Sequence, residues 1–96
     1  MKYTIAVLSG IEKDNVIEKE ISVRVDARLE TVVRKAAEEM AEVLVEKGLL
    51  VRPVSYVADM PNVWRNGGVG TLRIQDDKDY FFIGIRHSDS ETWMFL

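Results

Sequence analysis

One long apolar stripe at helical spacing limits what this chain can fold into. Between residues 29 and 44, apolar side chains recur every three or four positions, and charged side chains occupy the opposite side. The pattern predicts an amphipathic helix that covers one face of another layer, with Asp26 as its N-cap and Gly48 just after its C-terminus. The stripe consists of Leu29, Val32, Val33, Ala36, Ala37, Met40, Val43 and Leu44.

Segments with a period of two flank this helix on both sides, and that period is typical of half-buried strands. Residues 2–9 and 16–25 predict an N-terminal hairpin. Residues 69–75 and 80–86 predict a second hairpin, closed by an acidic turn at 76–79. On the strand 16–25, the side predicted to face inward carries Ile17, Ile21, Val23 and Val25.

The remaining segments complete a β-β-α-β-β-β order. Residues 49–58 are rich in β-formers, but Pro53 restricts them to an edge strand or a bulge. Residues 59–68 are typical of a loop, and the C-terminal residues 91–96 predict either a short last strand or a docked tail. We therefore predict one α+β domain over residues 1–96, a two-layer sandwich with one long helix packed on a mixed sheet.

The first half of the chain resembles the β-grasp, or ubiquitin-like, fold. The segment from Ile21 to Asp26, running into Leu29 to Val33, is similar to the second strand and helix start of that fold. The terminal di-glycine of ubiquitin and the sulfur-carrier proteins is absent, since the chain ends in Trp93-Met94-Phe95-Leu96. Conjugation and sulfur carriage are therefore disfavoured.

Composition narrows the chemistry. The 96 residues include no cysteine and one histidine, His87, which excludes disulfides, thiolate catalysis, cysteine zinc sites and any site that needs two histidines. The formal net charge of -3 disfavours broad attraction to nucleic acid or to an anionic membrane. We expect a cytoplasmic protein with no cofactor, no metal and no membrane association.

Three short segments carry polar groups, and each has a simple structural interpretation. The glycine-rich residues 65–70 lead into a predicted strand, whereas a phosphate-binding loop should open a helix. The acidic residues 76–79 lack the ligand spacing of a calcium loop. His87 lies near Asp89 and Glu91, but side chains from one short loop seldom align as a catalytic group. A small enzyme centred on His87 is therefore the weakest hypothesis, and we predict that the protein is not an enzyme.

The predicted outer face of the sheet combines arginines with aromatic side chains. If the second hairpin turns Leu72, Phe81 and their neighbours toward the helix, alternation places Arg73, Tyr80, Phe82 and Arg86 on the other side. Proteins that bind single-stranded nucleic acid use aromatic platforms beside cations. A nucleic-acid-binding domain is accordingly the alternative function.

Two apolar clusters, one in the loop from Met60 to Arg65 and one in the C-terminal residues from Trp93 to Leu96, have no assured place in the core. Trp64 lies in a loop and could instead plug one end of the core, and Phe95 could instead close the edge of the sheet. Methionine, aromatic residues and arginine are enriched at protein interfaces. The leading prediction is a non-catalytic module that binds a protein partner or its own copy. The predicted interaction residues are Met60, Trp64, Arg65, Tyr80, Phe82, Trp93, Met94 and Phe95.

Overall fold

A computed structural model describes residues 1–8, 16–60 and 69–96. It has one helix packed on a sheet of six strands, as the predicted two-layer α+β sandwich requires. The elements in chain order are β1 (Lys2–Val7), β2 (Glu18–Ser22), α1 (Leu29–Glu46), β3 (Ser55–Asp59), β4 (Thr71–Gln75), β5 (Tyr80–His87) and β6 (Trp93–Phe95).

The strand order is β2-β1-β5-β4-β3, and β6 pairs with β5. The prediction of a mixed sheet is wrong, because all five pairs among the described strands are antiparallel. The reason is topological. The connection through α1 leads from β2 at one edge to β3 at the other, so these two strands run in the same direction without being neighbours. One isolated parallel bridge joins Gly70 to Phe95. The resemblance to the β-grasp fold stays a prediction.

The helix follows its predicted stripe but begins later than expected. Its N-cap is Arg28, whose side chain makes no capping hydrogen bond, so the prediction of Asp26 as the N-cap is wrong. Asp26 instead lies in an exposed turn, where it pairs with Arg24 at 3.3 Å. The C-terminal prediction is confirmed. Gly48 takes φ 72°, a left-handed conformation that glycine adopts without steric cost, and its N–H donates to the carbonyl of Val45.

The core lies between α1 and the inward faces of the strands. The helix buries most of its stripe, and the strands bury the predicted inward residues, Leu72 and Ile74 of β4 and Phe81, Ile83 and Ile85 of β5. Lys19 of β2 also donates to Glu39 of the helix at 2.5 Å, and this bond lowers the pKa of the Glu39 carboxyl. The fully or almost fully buried apolar side chains include Ile5, Val32, Val33, Ala36, Ala37, Met40, Leu44, Leu50, Leu72, Ile74, Ile83, Ile85 and Phe95.

Two strands are shorter than their sequence patterns. β2 ends at Ser22, so Val25 does not face the core as predicted and is 82% exposed at the following turn. β3 starts after Pro53 and lies at an edge of the sheet, as the proline requires.

Within the described ranges, no helix is long and apolar enough to cross a membrane.

The predicted acidic turn is built around Asp76. One of its carboxylate oxygens accepts the N–H groups of Asp79 at 2.7 Å and Lys78 at 2.8 Å, and the other accepts that of Val51 at 2.8 Å. These bonds lower the pKa of the Asp76 carboxyl, with the Asp79 N–H as the largest cause. The turn between β4 and β5 is thereby tied to the segment that follows α1.

We expect Asp76→Ala to lower the Tm at pH 7, because three backbone donors lose their acceptor. A carboxyl whose pKa is lowered by folding adds stability above its ordinary pKa of about 3.9, and this stability is lost as the pH falls toward the folded value. The Tm difference between wild type and Asp76→Ala should therefore shrink below about pH 4. Thermal denaturation followed by circular dichroism from pH 3 to pH 7 measures it. Asp77→Ala, in the same turn and exposed, is the control; an unchanged Tm difference at pH 3 would contradict the charge-dependent role.

Candidate functional site

The face of the sheet opposite α1 carries the predicted cluster of arginines and aromatic side chains. We call it the aromatic–arginine face and define it as Arg73, Tyr80, Phe82, Arg86 and Trp93. The cross-strand register explains how it forms, because Arg73 of β4 lies opposite Phe82 of β5, and Arg86 of β5 lies opposite Trp93 of β6. The sequence predicted the first four on this face from alternation alone.

Tyr80 is the most exposed aromatic side chain of this face, at 58%. Its ring meets that of Phe82 edge to face, with centroids 5.7 Å apart. The guanidinium carbon of Arg73 lies 5.5 Å from the centroid of Tyr80, within the range of a cation–π contact. The Nε of Arg73 is buried and has no hydrogen-bond partner within the part of the chain that the structure describes. Such a donor costs about 1–3 kcal/mol.

Trp93 lies across Gly84 at the centre of the outer face. A Cβ added to Gly84 would lie 2.7 and 2.8 Å from two indole carbons of Trp93, and 2.8 Å from Cδ1 of Leu8. Only a glycine lets the indole approach the strand this closely. The side chain of Leu8, 38% exposed, lies near the same point of β5, and Trp93 is half-buried.

Arg86 is held by several partners at the end of this face. Its guanidinium carbon lies 5.6 Å from the centroid of Trp93. Its Nη1 donates to the carbonyl oxygens of Ser90 at 2.9 Å and of His87 and Ser88 at 3.3 Å. These bonds fix the loop after β5 and leave Arg86 fewer donors for a phosphate than the sequence prediction supposed.

Charges on the outer side of the described strands balance. The register places three cations there and three carboxylates, and one pair of these, Lys2 and Glu20, lies 3.7 Å apart. The cations are Lys2, Arg73 and Arg86, and the carboxylates are those of Glu18, Glu20 and Asp59. A phosphate backbone therefore meets no net positive surface on these strands.

The other predicted interaction residues differ in burial and in position. Phe95 is 0% exposed, so its assignment as an interaction residue is wrong, and it packs in the core beside β5 instead. Met94 is partly buried against the core, whereas Met60 is 39% exposed at the end of β3. Trp64 and Arg65, together with the rest of the loop prediction for 61–68, lie outside the described residues.

A register shift explains why the two C-terminal aromatic residues separate. Phe95 lies opposite Ile85, and Trp93 lies opposite Arg86, so a bulge at Met94 replaces regular pairing. In a regular strand, residues 93 and 95 would share one face. The bulge instead turns Phe95 into the core and Trp93 onto the outer face.

His87 is half-buried and engages a neighbour on β1. Its ring stacks on that of Tyr3, with centroids 4.6 Å apart. Burial raises the pKa of the Tyr3 hydroxyl. The nearby Ser88 hydroxyl is 2.9 Å from that of Thr4. The described residues 1–8, 16–60 and 69–96 contain no group of three or more His, Asp or Glu side chains placed to hold a metal ion.

The sequence prediction did not identify the edge strand β3 as a surface. Tyr56 and Val57 are 43% and 49% exposed there, on opposite sides of the strand. The signal in the sequence was Pro53, which restricts the strand to an edge or a bulge, followed by five uncharged residues, 54–58. It also missed the role of Gly84, which nothing in the local sequence links to Trp93.

No family model, no curated protein and no solved structure matches the chain.

Proposed function

We propose that this domain is a protein-interaction module that binds a partner protein through the aromatic–arginine face. The observation that carries the proposal is an ordered aromatic cluster on the side of the sheet that α1 leaves open. Tyr80 is 58% exposed there, beside the rings of Phe82 and Trp93. Aromatic and arginine side chains dominate the binding energy of protein interfaces, and positions fixed in advance lose little entropy on binding.

The guanidinium of Arg73 indicates the chemistry of the partner. It is stacked on Tyr80, and its buried Nε has no acceptor in the described chain. A carboxylate or carbonyl of a partner, placed beside Tyr80, would supply an acceptor after a small movement of this side chain. The proposed partner surface is therefore apolar at its centre with an acidic group at its margin.

Nucleic-acid binding has weaker support. Stacking platforms for bases work together with a groove of net positive charge, and the outer side of the described strands has balanced charge. Arg86 also donates to three carbonyl oxygens of its own chain. The protein interface is for these reasons the better proposal.

We expect Tyr80→Ala to weaken partner binding about 30-fold, equivalent to about 2 kcal/mol. The tagged domain is used to capture partners from extract of its source cells, with and without nuclease. The affinity of each captured protein is then measured by calorimetry after purification. Val25→Ala removes a side chain that is 82% exposed away from this face and is the control.

Equal affinity of wild type and Tyr80→Ala for every captured protein would contradict the proposed interface. Nuclease-sensitive capture, with steep weakening by salt, would favour the nucleic-acid alternative instead. Circular dichroism of Tyr80→Ala should match wild type, because substitutions at exposed positions usually change stability by less than about 0.5 kcal/mol.

A further inference from the structure

The two edges of the sheet differ in their protection against pairing with another strand. At one edge, β2 carries Glu18, Lys19 and Glu20, and charged side chains on an edge strand oppose edge-to-edge association. At the other edge, β3 presents uncharged residues at its centre, with Val57 49% exposed. Within the described part of the chain, no strand pairs with the outer side of β3.

The backbone register identifies which groups of β3 face outward. The N–H of Asp76 donates to the carbonyl of Asp79 at 3.0 Å, which makes these two residues a hydrogen-bonded pair at the end of the β4–β5 hairpin. Along a strand of an antiparallel sheet, the backbone groups of successive residues point alternately to one neighbouring strand and to the other. The N–H and C=O groups of Arg73 therefore point toward β3, where Arg73 pairs with Val57. The N–H and C=O groups of Tyr56 and Ala58 therefore point away from the sheet.

We propose that a second copy of this chain pairs with β3 in antiparallel fashion, about a two-fold axis at Val57. In this register Tyr56 of one copy lies opposite Ala58 of the other. The edge-facing groups of both residues are then satisfied by four backbone hydrogen bonds. The two Val57 residues form the central pair that shares no backbone hydrogen bond, in which Cα atoms lie about 4.5 Å apart.

The side chains fit this register without conflict. The large ring of Tyr56 faces the small Ala58 of the second copy, and the Ser55 hydroxyl faces the carboxylate of Asp59 of the second copy. No like charges lie directly opposite each other. The same operation at β2, centred on Glu20, would place two glutamates opposite each other, which is destabilising.

The two-fold axis runs perpendicular to the sheet, so both helices lie on one side of a continuous sheet. Both aromatic–arginine faces then lie on the other side. This pairing is independent of the proposed partner binding, because it uses the edge of β3 and not the aromatic side chains. Since one five-residue strand contributes a small interface, we expect dimerisation to depend on concentration.

A single-cysteine experiment tests the register directly, because the natural chain has no cysteine. Val57→Cys places two thiols at the central pair, where the Cα separation of about 4.5 Å falls within the disulfide range. With oxidised glutathione as oxidant, we expect a disulfide-linked dimer of twice the 11.0 kDa chain mass. Ser55→Cys, on the same strand and face, is the control, because its thiols lie four residues apart in this register and should not link.

A second experiment does not depend on disulfide chemistry. Light scattering across a concentration series should show wild type moving from monomer to dimer, and Val57→Lys remaining monomeric because two ammonium groups would meet at the axis. Val25→Lys, at a valine 82% exposed elsewhere, should dimerise like wild type. The proposal is overturned if wild type stays monomeric at every concentration, if Val57→Lys dimerises equally, or if Ser55→Cys links as readily as Val57→Cys. Tyr80→Ala should dimerise like wild type. A failure of the partner-binding proposal can therefore be distinguished from a failure of the dimer proposal.

Discussion

Phe95→Ala is expected to lower the free energy of unfolding by about 3–5 kcal/mol. The ring is 0% exposed and belongs to the core cluster, although only Leu96 follows Phe95 in the sequence. Its strand is held on both sides, since Phe95 lies opposite Ile85 and bridges to Gly70. Truncation therefore leaves a cavity that the neighbouring strands cannot readily move to fill.

Urea denaturation followed by circular dichroism measures this loss. Leu96→Ala is the matched control, because Leu96 is 57% exposed and its truncation should change stability by less than about 0.5 kcal/mol. A domain of this size has a total stability of about 5–14 kcal/mol, so Phe95→Ala could prevent folding altogether. Phe95→Leu then gives a smaller, measurable loss of about 1–2 kcal/mol. A loss for Phe95→Ala no larger than that for Leu96→Ala would contradict the buried position.

Gly84→Val is expected to destabilise the domain by about 1–3 kcal/mol, through overpacking against Trp93. Even a Cβ alone would lie 2.7 Å from the indole and 2.8 Å from Leu8, closer than such atoms approach in folded proteins. The indole must then leave its position across β5. We therefore also expect a red shift in the fluorescence of Trp93, measured in a Trp64→Phe background that removes the other tryptophan.

A double-mutant cycle separates this clash from a general effect of valine in the strand. In a Trp93→Ala background, Cδ1 of Leu8 is the remaining close atom. Because that side chain is exposed and can move, and because valine favours strands, Gly84→Val should cost much less there than in wild type. The expected coupling between the two positions is about 1–3 kcal/mol. An equal cost of Gly84→Val in both backgrounds would show that Trp93 does not constrain this position.

Local patterns in the sequence predicted the helix, both hairpins and the alternation on β4 and β5. These features depend on residues a few positions apart. Such residues keep the same relative positions within a helix or hairpin, whatever the rest of the fold. The prediction of the helix N-terminus failed because a turn formed where a cap was expected. Asp26 is a good N-cap residue by type, but β2 ends at Ser22, and the turn that follows moves the helix start to Leu29.

The candidate site also has one part that the sequence predicted and one part that it did not. Alternation alone placed Arg73, Tyr80, Phe82 and Arg86 on one face, and the structure brings them together. The aromatic pair at positions 93 and 95 resisted this reasoning. Its two rings belong to opposite sides of the sheet only because pairing with β5 introduces a bulge at Met94.

The sequence by itself determined that a single amphipathic helix must cover one side of a sheet, and it determined which residues of β4 and β5 face that helix. Periodicity is sufficient for this, because burial of one face follows from the positions of apolar side chains along the chain. Only the tertiary structure decided the strand order, the burial of Phe95 and the position of Trp93 across Gly84. Each of these depends on which distant strands pair and in which register, and local periodicity carries no information about that choice.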